Sequence, residues 1–103
     1  MNTFVKIIRN GHMAPGKLAD AELHFTGGEL DGLKLIGFAV WSRRDGGGKN
    51  VTFPARQFTV HGERRHYSLL RSVEDAQAEK RLKEVLLQAY LAHEAGNAEG
   101  ATA

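Results

Sequence analysis

The chain has 103 residues, 42% apolar and 25% charged, which fits one globular domain with a modest core and argues against overall disorder. It has no cysteine, which excludes a disulfide framework and any thiolate metal site, and no apolar run approaches the ~20 residues of a membrane span. Its formal charge is only +2, yet residues 34–71 carry eight basic side chains against Asp45 and Glu63, a local net of +6, while the remaining residues net −4. A local positive surface of this kind suits a polyanion, most simply nucleic acid.

Residues 4–9 (Phe-Val-Lys-Ile-Ile-Arg) read as a first strand, rich in β-branched and aromatic residues. They lack the continuous apolar block of a secretion signal, and a cytoplasmic location is expected. Asn10-Gly11-His12-Met13-Ala14-Pro15-Gly16 reads as a loop. Residues 18–25 alternate: Ala19, Ala21, Leu23 and Phe25 share one face, and Asp20, Glu22 and His24 the other, as in a half-buried strand. Residues 33–41 are apolar on both faces. Leu33, Leu35, Ala39 and Trp41 fall on one, Ile36, Phe38 and Val40 on the other.

The run Arg43-Arg44-Asp45-Gly46-Gly47-Gly48-Lys49 is predicted to be a hairpin tip, because its glycines permit positive φ. Residues 50–53 begin another strand, which Pro54 confines to an edge or ends. Residues 57–70 read as a second hairpin around Gly62-Glu63, a pair suited to a type II′ turn. Its register puts Phe58, Val60, Tyr67 and Leu69 on a core face, with Arg65 near the tip. Thr59, His61, Arg64, His66 and Ser68 take a solvated, basic face.

A single amphipathic helix follows. Ser72 is its expected N-cap with Asp75 three residues on; Ala78, Leu82, Val85, Leu86, Ala89, Tyr90 and His93 form its apolar stripe, and Gly96 its C-terminal stop. The expected fold is therefore α+β: a small antiparallel sheet of about five strands, built of hairpins, and one C-terminal helix, with residues 1–95 as the domain and 96–103 as an unstructured tail. One helix covers one sheet face. The surface of Ile36, Phe38 and Val40 then needs a second layer, supplied by a second copy or by strong curvature of the sheet; a homodimer is the expectation.

Arg43, Arg44, Lys49, Arg56, Arg64 and Arg65 are the candidate phosphate contacts. Phe53, Phe58, Tyr67 and Trp41 are candidate stacking platforms, with Phe58 and Tyr67 assigned to packing by the alternation. His61 and His66 lack a third ligand at fixed spacing, so no metal or other cofactor is expected. Ser68 with His66 has no nucleophile elbow, and Gly46-Gly47-Gly48-Lys49 is followed by Asn50 where a phosphate loop needs Ser or Thr. No catalytic residues and no small-molecule substrate are expected.

Several of these runs, in this order, resemble the stage V sporulation protein G (SpoVG) family. The similarity lies in the opening strand, in Lys17-Leu18-Ala19-Asp20-Ala21-Glu22-Leu23-His24-Phe25 and in the apolar third strand. It continues through Phe53-Pro54-Ala55-Arg56-Gln57, the Gly62-Glu63-Arg64 turn and a helix closing near Leu87-Gln88-Ala89-Tyr90. Two places depart from the pattern: Tyr67-Ser68-Leu69-Leu70 stands where a His-Pro pair belongs, and Glu74-Asp75-Ala76-Gln77 is an acidic insertion before the helix. The resemblance implies a homodimeric regulator that binds DNA or RNA and has no enzymatic activity. The rival expectation is an adaptor whose basic face binds an acidic protein.

Overall fold

The computed structural model describes residues 1–9, 13–44 and 46–102, the last six as helical backbone alone. Asn10, Gly11 and His12 of the first loop, and Asp45 of the glycine-rich tip, lie outside the described residues. Among the described residues six strands form two antiparallel sheets: β1 (Asn2–Ile8), β2 (Lys17–Thr26), β3 (Lys34–Ser42) and β4 (Lys49–Thr52) in spatial order, then β5 (Ala55–Val60) and β6 (Glu63–Ser68) as a separate ribbon. A helix, α1 (Gln77–Thr102), closes an α+β fold. Pro54, which can offer no N–H to a ladder, separates β4 from β5.

The alternation of β2 holds. Ala19, Ala21 and Leu23 are buried, and Asp20, Glu22 and His24 take the opposite face. In β3 the alternation breaks. Phe38 pairs with Ala21 but Leu35 with Leu23, so β3 carries one extra residue at Ile36–Gly37, a β-bulge with Gly37 at φ 106°. One inserted residue exchanges the faces, and Leu35, Phe38 and Val40 all join the core with Leu86 and Tyr90 of the helix. The expected dimer surface is corrected accordingly. Phe38 and Val40 are buried beneath α1, and only Ile36, 60% exposed, remains on the open face.

Gly37 also meets the next element. A Cβ at this position would lie 2.9 Å from the Cβ of Pro54, so the bulge is a seat for the buried Pro54. Phe53, beside it, packs edge-on against Phe38 with ring centroids 5.5 Å apart. Leu69 N donates to Pro54 O at 2.9 Å, closing the base of the ribbon.

Leu82, Leu86 and Tyr90, spaced by four, face the sheet, and α1 packs against β1 and β4. Val85 is half exposed, so the apolar stripe is narrower than the sequence spacing suggests. The cap is Asp75, whose Oδ1 accepts from Gln77 N at 2.9 Å; Ser72 lies too far ahead of the first turn. Gly96 has no positive φ and stays helical, and the helix continues to Thr102 in place of the expected stop. Among the described residues no helix is long and apolar enough to cross a membrane.

Candidate nucleic-acid interface

The β5–β6 ribbon leaves the body at Pro54 and pairs only with itself. Its turn is His61-Gly62, with φ 51° and 80°, between the pair Val60↔Glu63. Positive φ at both central residues makes it a type I′ turn, one residue earlier than the expected type II′ pair. That displacement moves each cross-strand partner by two positions, an even number, so the expected faces survive.

One ribbon face carries Arg56 opposite Tyr67, and Phe58 opposite Arg65. The sequence assigns this face to the core, and the structure leaves it uncovered: Phe58 and Tyr67 are each 37% exposed. Alternation defines a face but not what lies over it: the opposite face of the ribbon turns toward β4 and α1, and this one has no element packed over it among the described residues. The two rings touch at 5.5 Å between centroids, tilted by 57°. Arg71 extends the same surface, its guanidinium carbon 5.5 Å from the Tyr67 ring centroid and its Nε donating to Ser68 O at 2.8 Å. Arg65 reaches Glu63 at 3.3 Å, an exposed pair worth little. Two aromatic rings are thus flanked by three guanidinium groups.

The six predicted phosphate contacts do not share one surface. Arg56 and Arg65 lie on the aromatic face, while Arg64 lies on the other with Gln57 and His66. Arg43, Arg44 and Lys49 belong to the β3–β4 tip, where Arg43 N donates to Gly48 O at 2.9 Å. The tip adjoins a shallow depression lined by Trp41, Arg43, Arg44 and Asn50. Trp41 is held in place by its Nε1–H, which donates to Thr52 Oγ1 at 2.9 Å. His61 sits in the ribbon turn and His66 is paired with Gln57, so these histidines do not face each other.

Arg71 and Lys83 escaped the sequence reading. Arg71 had a signal, as the last cation of the basic segment; Lys83, whose Nζ lies 5.7 Å from the Phe53 ring centroid, had none beyond its helix position.

The second ribbon face, β4 and α1 border an open cleft of about 630 Å³ lined by Asn50, Thr52, Phe53, Gln57, His66 and Lys83, with Tyr67 at the ribbon edge also reaching it. On the open face of the main sheet, Phe4 stacks on His24 at 4.8 Å and Lys34 Nζ donates to both carboxylate oxygens of Glu22 at 3.1 and 3.2 Å. The His24 ring and the Lys34 ammonium hold the Glu22 carboxyl below the ordinary carboxylate range.

No family model, no curated protein and no solved structure matches this chain.

Proposed function

We propose that the protein is a non-catalytic, cytoplasmic regulator that binds DNA or RNA as a homodimer, the function that its resemblance to the SpoVG family implies. The observation that carries the reading is the uncovered Phe58–Tyr67 pair flanked by Arg56, Arg65 and Arg71 on a projecting ribbon. A two-stranded ribbon is marginal by itself in water, and an aromatic pair left uncovered on one is a surface for a partner. Bases stack on such rings for about 1–3 kcal/mol each, while guanidinium groups bind the phosphates between them. An acidic protein partner would meet the same rings and arginines, which are also the residues of protein interfaces, and the titration below separates the two readings.

A second copy is proposed to cover the open sheet face, where Phe4 and Ile36 are 51% and 60% exposed. Two copies would present two ribbons at fixed separation and raise affinity through effective concentration.

Titration of labelled single- and double-stranded oligonucleotides at about 50 and 200 mM salt tests the function. Binding is expected to fall steeply with salt, and Arg56→Ala/Arg65→Ala to weaken it while flattening the salt dependence. No binding at the lower salt, or identical binding by the variant, contradicts it.

A further inference from the structure

We infer that the cleft between the ribbon and β4 receives one unpaired base, and that the protein therefore prefers single-stranded to duplex nucleic acid; this rests on the nucleic-acid reading above. The cleft, about 630 Å³, falls within the range of roughly 300–1,000 Å³ of small-ligand sites. Its lining combines what a base requires. Phe53 supplies an aromatic ring, and Asn50 and Gln57 supply primary amides that each carry both donors and an acceptor.

Lys83 approaches the Phe53 ring from α1, at 5.7 Å from its centroid. Its flexible stem lets the ammonium move from the ring to a phosphate at the mouth when a base stacks there. Glu79, one turn earlier on α1, also lines the cleft. Its carboxylate repels phosphate and accepts from an exocyclic amino group, so the base enters and the backbone stays outside. The path of the strand continues beyond the cleft. Asn50 lines both the cleft and the depression beside Arg43 and Arg44, which joins the cleft to the basic tip.

A base in a duplex presents edges that are already paired and faces that are already stacked. It reaches the cleft only by flipping out, an unfavourable step that a single strand avoids. Single-strand preference follows from that difference, and is expected to be about tenfold or more.

The experiment compares affinities for one sequence as a single strand and as a duplex, in the wild type and two variants. Asn50→Ala/Gln57→Ala removes amides on two exposed positions and spares the core; Arg56→Ala/Arg65→Ala removes cations from the other ribbon face. The wild type is expected to prefer the single strand, the amide variant to lose that preference with duplex affinity retained, and the arginine variant to weaken both forms alike. Equal wild-type affinity for both forms, or a preference untouched in the amide variant, overturns the cleft assignment and leaves the ribbon reading standing. Absence of binding to either form at low salt overturns the nucleic-acid reading itself, and the cleft assignment with it.

Discussion

At Gly37 two constraints meet: φ is 106°, where side chains are strained, and a methyl group would press on Pro54 at 2.9 Å. Gly37→Ala is expected to destabilise the protein by about 2–4 kcal/mol in a denaturant titration, combining backbone strain with overpacking. Gly32 has a similar φ of 83° but nothing within 4 Å, and Gly32→Ala should cost only about 1 kcal/mol. The difference between the two measures the contact with Pro54. Glu22 provides a second test. Its side chain is only 13% exposed, and His24 and Lys34 depress its pKa, so the unfolded chain binds its proton at a higher pH than the native state does. The stability it contributes is therefore present above the ordinary carboxyl pKa of 4.5 and lost as pH falls through the lowered native value. Comparing unfolding of the wild type and Glu22→Gln across that acid range should show a larger loss in the wild type.

Among the elements, β2 was readable residue by residue because its pairing with β1 is unbroken, and Ala19, Ala21 and Leu23 stay on one buried face. The bulge in β3 was not readable, since Ile36-Gly37 looks like an ordinary apolar–glycine step and its consequence depends on pairing with β2. Pro54 correctly marked a break, but a break does not say where the following strands go. That is why Phe58 and Tyr67 were assigned to packing when they stand exposed. The cations of the site were legible as charge. So was their division, since alternation sets Arg64 and Arg65 on opposite ribbon faces and the glycines set Arg43, Arg44 and Lys49 at the tip; the separation of ribbon from tip was not, because it follows from the break at Pro54. The ribbon yields its own prediction. Because neither ring packs on the main core, Phe58→Ala/Tyr67→Ala should leave the thermal midpoint of the domain nearly unchanged. Its affinity for single strands should nonetheless fall by about 1–3 kcal/mol for each stacked base lost.

The whole molecule is elongated, 54 × 39 × 25 Å, with a radius of gyration of 15.5 Å against the roughly 13 Å of a compact chain this long. The projecting ribbon and the helix that runs to Thr102 both extend it. The open sheet face, where Phe4 and Ile36 stand exposed among Glu22, His24 and Lys34, is the surface proposed for a second copy. Light scattering is expected to give twice the 11.3 kDa protomer mass, and Phe4→Lys/Ile36→Lys to give a folded monomer. An unaltered mass in that variant would move the interface elsewhere. Whether the ribbon is the nucleic-acid surface is decided by mapping chemical shifts of the labelled protein during titration with a short oligonucleotide. The perturbed signals are expected to cluster on Arg56, Phe58, Arg65, Tyr67 and Arg71, with Asn50 and Gln57 of the cleft beside them. Signals confined to the open sheet face around Phe4, Glu22 and Ile36, or no perturbation at all, would contradict it.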